Sequence, residues 1–400
     1  MSSLAITNIS ELVTNDPEVN NGLLGIIDNA AIVVTNGFVS WVGSASEVKS
    51  NATSKIIDLH GKALIPGFVD SHAHLVFAGE RSAEFAARMS GQPYLAGGIK
   101  TTVAATRSAS AENLRSNIQH LSTEMLESGI TTFETKSGYG LDVETEALSL
   151  RIANEFTSEV TFMGAHVVPV EYADRTEEYV DLVVGEMLET CAPHAKWIDV
   201  FCDRGAFNVK QAQRILTAGI AKGLRPRIHA HQLENIGAVA MATALDCASI
   251  DHCTHLSDSD INLLAKSNTV ATLVPGAEFS TRSTYPRAKD LLDAGVNVAL
   301  ATDCNPGSSF TTNMPLMIAL AVREMHMTPE QALHAATFGG AKALRRNDVG
   351  QLKVGSRADL VALNAPSHLH LAYRPGVPLV TNVWQAGKTQ FDVTKRRNHG

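Results

Sequence analysis

Pro66-Gly-Phe-Val-Asp-Ser-His-Ala-His74 runs a short apolar segment into two histidines spaced two apart. In an extended strand, residues two apart point the same way, so both imidazoles can reach one ion at the strand end. The segment from Ala63 to Asp70 therefore reads as a strand that delivers His72 and His74 to a site. Seven further short apolar runs follow, each suited to a parallel strand buried on both faces. They are Thr131–Thr135, Val160–Ala165, Trp197–Cys202, Pro226–His229, Ala248–Asp251, Val270–Val274 and Val296–Thr302.

Between these runs lie amphipathic stretches with recognisable helix starts. Asn208 precedes one, Ser257 another, and Thr328-Pro-Glu-Gln331 combines an N-cap, a first-turn proline and a capping-box glutamine. Strand and helix alternate from Ala63 to Asp348, which predicts an α/β fold of the (β/α)₈ TIM-barrel type, usually ~250 residues in size. A doubly wound sheet is the alternative, but no Gly-x-Gly-x-x-Gly turn follows the first strand. The flanks differ. Ala31 to Gly43 forms two β-rich runs about Asn36-Gly37, a hairpin signal, and Gly350–Leu363 and Val380–Gly387 are strand-like. Neither flank alone has enough strands to bury a core. Residues 1–62 and 349–400 are thus expected to build one small composite β domain, with the catalytic barrel at 63–348.

Other strand ends carry related side chains. His229 closes the fifth run in Arg227-Ile-His-Ala-His-Gln232, His252 the sixth in Ser249-Ile-Asp-His252, and Asp303 the eighth in Ala299-Leu-Ala-Thr-Asp-Cys-Asn-Pro306. Barrel active sites are built at carboxyl ends of strands. Histidines with a carboxylate suit a borderline transition ion such as zinc or ferrous iron, rather than magnesium or calcium.

Composition narrows the class of function. The 400 residues carry a formal charge of -8, which argues against non-specific attraction to nucleic acid or acidic membranes. No apolar run approaches the ~20 residues of a membrane span, and the N-terminus lacks a basic start and apolar core. Five scattered cysteines are too few for a disulfide framework. A cytoplasmic, reduced protein with a small-molecule substrate is expected; its assembly is left open, a homodimer included.

The histidine pattern resembles the amidohydrolase superfamily, whose first strand ends in His-x-His within a Pro-Gly-(Phe/Leu)-(Val/Ile)-Asp-x-His frame. The likeness extends to the closing segment Gly350 to Val361. It implies a metal held by His72, His74, His229 and Asp303. Two-metal members place a bridging lysine or acidic residue at the fourth strand end; Phe201-Cys202-Asp203 stands there with no lysine, so one divalent metal, zinc or iron, is expected. Four further runs resemble one branch of that superfamily, the imidazolonepropionases. They are Ala78-Gly-Glu-Arg-Ser-Ala-Glu-Phe85, Thr135-Lys-Ser-Gly-Tyr-Gly-Leu-Asp142, Gly164-Ala-His-Val-Val-Pro169 and Ala301-Thr-Asp-Cys-Asn-Pro-Gly-Ser308.

That resemblance implies hydrolysis of 4-imidazolone-5-propanoate to N-formimidoyl-L-glutamate, a step of histidine degradation. It assigns substrate contact to Arg81, Tyr139, His166, Gln232, Asn305, Gly307 and Ser308. Asp303 would accept a proton, His252 would act as general base or hold the oxyanion, and Gln232 joins them at the reacting centre. Tyr139 between glycines and Asn305-Pro-Gly307 also suit plain turn chemistry, and Arg81 has a second reading as the ion-pair partner of Glu84. Another one-metal amidohydrolase, such as a heterocycle deaminase, is the nearest alternative; a non-catalytic metal-binding barrel is more remote. The chain departs from the branch in a shortened Gly91–Lys100 loop, in His231 where an acid is usual, and in Cys253-Thr254 where Leu-Glu is usual.

Overall fold

The computed structural model describes residues 3–48, 55–91 and 98–396. Most of the shortened Gly91–Lys100 loop therefore lies outside the described residues. Two sheets organise the chain. The first contains β1 (Ser3–Val13), β2 (Ile26–Thr35), β3 (Phe38–Ser44) and β4 (Lys55–Pro66), and the chain returns to it much later. The second starts with β5 (Phe68–Asp70), separated from β4 by Gly67 alone. It continues through β6 (Ile130–Lys136), β7 (Glu159–Ala165), β8 (Trp197–Cys202), β9 (Arg225–Pro226), β10 (Ile228–Ala230), β11 (Ser249–His252), β12 (Val270–Leu273) and β13 (Val298–Leu300). The final strands β14 (Leu360–Leu363), β15 (Val380–Gln385) and β16 (Lys388–Asp392) rejoin the first sheet, whose order is β16-β15-β14-β4-β1-β2-β3.

The second sheet runs β13-β12-β11-β10-β8-β7-β6-β5, with the two-residue β9 also paired to β8. Taking β9 and β10 as one strand interrupted at Arg227 gives eight parallel strands. Two bonds join the chain just after β5 to the chain just after β13: Asp303 N–H to the His72 carbonyl at 3.0 Å, and His74 N–H to the Cys304 carbonyl at 3.2 Å. The result is a nearly closed (β/α)₈ barrel, as expected. Strands β7, β8, β11 and β12 are buried along their whole length. All three expected caps are present as capping boxes: Asn208 with Gln211, Ser257 with Asp260, and Thr328 with Gln331. Each satisfies two otherwise orphaned N–H groups.

The terminal sheet has its own core, in which Ile6, Ile9, Leu12, Leu64, Leu360 and Trp384 pack together. Asn36 (φ 52°) and Gly37 (φ 88°) make the turn between β2 and β3, and two positive φ angles suit the twist of a hairpin. By packing, the chain divides into two compact units. One comprises Met1–Asp70, Thr123–Thr132 and Asn313–Gly400; the other comprises Ser71–Ser122 and Phe133–Thr312. The first unit includes β5 and the helices after residue 313 as well as the terminal sheet. Gly340 explains part of this, since a Cβ there would stand 2.1 Å from the Val69 carbonyl oxygen. Among the described residues, no helix is long and apolar enough to cross a membrane.

Candidate active site and metal centre

The residues singled out at strand ends converge within the second unit. His74 Nε2 lies 3.2 Å from His229 Nε2, and Asp303 Oδ1 lies 3.5 Å from His72 Nε2 and 3.6 Å from His74 Nε2. Ligand atoms of His72, His74 and Asp303 fall within 4.8 Å of one another, as do those of His72, His229 and His252. All are buried. Asp303 (φ 61°) and His252 (φ 81°) hold left-handed backbone conformations, which cost energy in non-glycine residues and recur at functional sites.

Two of the histidines that face this centre, His72 and His229, have the opposite ring nitrogen engaged. His72 Nδ1 donates to Asp251 Oδ2 at 2.7 Å, and His229 Nδ1 to Asp199 Oδ1 at 3.1 Å. A carboxylate only accepts, so both histidines carry the proton on Nδ1 and aim a lone pair from Nε2 at the centre. Burial first, and the Lys136 charge next, hold His72 well below its usual pKa; burial and His166 do the same for His74. Neutral imidazoles with lone pairs facing a carboxylate oxygen are the donor set a transition ion requires.

Beneath the histidines lies a charged layer that the sequence reading did not reach. Lys136 Nζ contacts Glu134 at 2.8 Å and Asp199 at 3.0 Å; Arg227 NH2 contacts Asp251 at 3.2 Å and the Ser71 carbonyl at 2.6 Å. Every one of these charged side chains is buried. Burial alone would raise the Asp199 and Asp251 carboxyls. The neighbouring His229 and Lys136 for Asp199, and Arg227 and Lys136 for Asp251, overcome it and bring both below the usual range. A usable signal was present: Asp199, Arg227 and Asp251 interrupt otherwise apolar strand runs, Arg227 two residues before His229 and Asp251 next to His252. With Asp303, the layer holds four carboxylates against two cations. The excess of two negative charges matches a divalent ion bound by neutral histidines.

Above the centre opens a narrow cleft, lined by Arg81, Tyr139, His166, Gln232, Asn305 and Ser308 together with His229 and His252. Six of the seven expected substrate-contacting residues are thus brought together. Gly307, the seventh, makes room for Arg81: a Cβ on it would sit 2.3 Å from Arg81 NH1, so its bareness admits the guanidinium. Arg81 donates from Nε and NH2 to Glu84, both at 2.8 Å, so its ion-pair reading and its place on the cleft hold at once. Ser308 Oγ donates to Asp303 Oδ2 at 2.6 Å, which gives that hydroxyl a partner in the centre itself. Tyr139 OH donates to Asn305 Oδ1 at 3.0 Å, and Asn305 Oδ1 also accepts from Gly307 N–H at 2.8 Å. His166 stacks on His74 with ring centroids 5.3 Å apart. Gln232 N–H donates to Asp203 Oδ2 at 2.7 Å. Burial and the neighbouring His229 push both His166 and His252 down to about 3. His252 Nδ1 has no hydrogen-bond partner among the described residues.

Comparison with known proteins places the chain in a family. Residues 63–395 match the model of the amidohydrolase family. An imidazolonepropionase of Streptomyces griseus is 61% identical over 389 residues, covering 97% of this chain and 99% of the relative. One from Mycolicibacterium smegmatis is 61% identical over 388 residues, covering 97% and 98%. Among solved structures, a triazine hydrolase variant superposes with a TM-score of 0.74 at 15% identity, covering 98% of this chain and 95% of that one. An adenosine deaminase from Xanthomonas campestris with bound zinc gives a TM-score of 0.70 at 20% identity, covering 98% and 93%. At such identities the last two speak to the fold alone.

Proposed function

This chain belongs to the amidohydrolase family, among its imidazolonepropionases, and on that footing we propose that it hydrolyses the lactam C–N bond of 4-imidazolone-5-propanoate, yielding N-formimidoyl-L-glutamate. The observation that carries the reading is one cleft lined both by His229 and His252 of the buried centre and by the Arg81 guanidinium. His72, His74, His229 and Asp303 would hold one divalent transition ion, zinc or iron. Such an ion, when bound, lowers the pKa of water and polarises a carbonyl.

The remaining work falls to the chain's own side chains. Asp303 accepts the proton as water adds to the lactam carbonyl, and Ser308 fixes the orientation of that carboxylate. A neutral His252 with so low a pKa is a weak base but a sound hydrogen-bond donor, so it is assigned to the developing oxyanion. The tetrahedral adduct then collapses, the ring C–N bond breaks, and the leaving nitrogen takes the proton from Asp303. One water is added overall. Arg81 pairs with the propionate carboxylate, while Tyr139, His166, Gln232 and Asn305 hold the ring against the centre.

Incubating purified protein with freshly made imidazolonepropanoate and identifying the product tests this reading. Formimidoylglutamate should form without stoichiometric ammonia. Faster turnover of an aminated heterocycle, with ammonia released, would replace ring opening by deamination.

A further inference from the structure

The loop after β6, Ser137-Gly-Tyr-Gly-Leu141, bends through two left-handed positions, Gly138 (φ 105°) and Leu141 (φ 56°). Successive amides in such a bend turn inward and form a concave nest that binds an anion. Here the anion belongs to the protein. Glu146, fully buried on the helix Val143–Ala153, accepts from Gly138 N–H at 3.0 Å, Gly140 N–H at 2.8 Å and Leu141 N–H at 2.9 Å. The helix does not need that carboxylate for its own start, because the Asp142 side chain already caps it through Thr145 N–H at 2.8 Å.

Two groups on the cleft depend on the shape of this loop. The Gly138 carbonyl, held between the nest amides, accepts from His166 Nδ1 at 2.9 Å. A carbonyl cannot donate, so this bond fixes the His166 proton on Nδ1 and turns Nε2 the other way. Tyr139 sits within the nest itself and carries its hydroxyl to Asn305. The glycines leave no slack. A Cβ on Gly138 would stand 3.1 Å from His166 Nδ1, and one on Gly140 would stand 2.7 Å from the Thr145 Cβ.

We propose that Glu146 is a positioning residue for the ring-opening site: its carboxylate fills the nest and thereby sets Tyr139 and His166 against the substrate. The proposal rests on the reading of the cleft as the substrate site. It makes a helix residue outside the cleft a determinant of substrate affinity, acting through a backbone shape rather than through contact.

The test compares Glu146→Ala and Glu146→Gln with the wild type, each checked for metal content and circular dichroism. Steady-state kinetics are measured on imidazolonepropanoate, and the His166 tautomer is read by ¹⁵N NMR, its signal assigned with His166→Gln. Glu146→Ala should lower kcat/KM on the order of 10²-fold, mainly through KM, as expected for misplaced binding groups. It should also erase the Nδ1–H signature of His166. Glu146→Gln should fall between, because its one oxygen can still reach Gly138, Gly140 and Leu141 N–H while its NH₂ opposes Gly138 N–H from the other side. Variants with wild-type KM and an unchanged His166 signal, losing only thermal stability, would overturn the proposal. Should the alanine variant not fold, the glutamine variant alone decides on the same two readouts. A wild type inert toward this substrate would sink the proposed reaction instead, and the His166 signal would still decide the role of Glu146.

Discussion

Arg81 gives one edge of its guanidinium to Glu84 and lies with NH1 over the space that Gly307 leaves bare. The pair orients a long side chain that would otherwise lose much freedom on binding substrate. A hydrogen bond to a charged group contributes about 1.5–3 kcal/mol, or roughly 10- to 150-fold in affinity. Arg81→Ala should therefore lower kcat/KM at least that far, and Arg81→Lys should recover only part, since an ammonium cannot make a bidentate pair. Were Glu84 its sole business, both variants would melt earlier at near-normal KM, so melting curves and kinetics run side by side decide. At this scale the residues with distinctive chemistry were legible: His72, His74, His229, His252 and Asp303 stand at strand ends in recognisable runs. Asp199, Asp251, Arg227 and Lys136 were not read, because acidic and basic residues within a strand are ordinarily taken for its solvent face. A barrel whose interior is polar inverts that inference.

Among elements, the strands and helix starts were readable because periodicity and capping are local properties. What eluded reading was the break at Arg227, where one expected strand becomes β9 and β10, and the π-turns at Val183–Met187 and Ala335–Gly339. Such irregularities answer to packing at a distance rather than to local propensity. The short helix Pro275–Thr281 carries a further unread feature, the buried Glu278, whose Oε1 accepts from Thr254 Oγ1 at 2.8 Å. Thr254 is one of the two positions where the chain departs from the usual Leu-Glu pair. Burial pushes the Glu278 carboxyl up to about 7, against smaller opposing effects of its hydrogen bonds. The folded protein then binds the extra proton between the unfolded value near 4.5 and the folded value. Its contribution to stability is complete below that window and declines as pH rises through about 7. Denaturant unfolding at pH 5 and pH 8 should show Glu278→Gln losing less stability across the interval than wild type, by at most about 3 kcal/mol. Parallel losses in both proteins would mean that the carboxyl ionises freely in the fold.

For the whole molecule, the centre is an electrostatic element as much as a chemical one. The buried layer with Asp303 carries two negative charges beyond its cations, and burial keeps bulk solvent from dispersing them. One ion per chain is expected from elemental analysis after dialysis, and two retained equivalents would contradict the single-metal reading. Stripping the ion with a chelator should lower the melting temperature by several degrees and make it depend on the concentration of added zinc or iron. A melting temperature indifferent to the metal would show that the protons or side chains of the layer neutralise it unaided.

The bonds from Asp303 to His72 and from His74 to Cys304 have a consequence in time. They link the first strand of the barrel to the last, so the earliest donors made by the ribosome must wait for the latest. Until the eighth strand arrives, His72, His74 and His229 have no Asp303 carboxylate opposite them, and a stalled or truncated chain would offer a metal an incomplete set of donors. With the proposed ligand set, tight capture of the ion would therefore require a completed chain. In a cell that is short of metal, half-made copies would not compete with finished enzyme for the little there is.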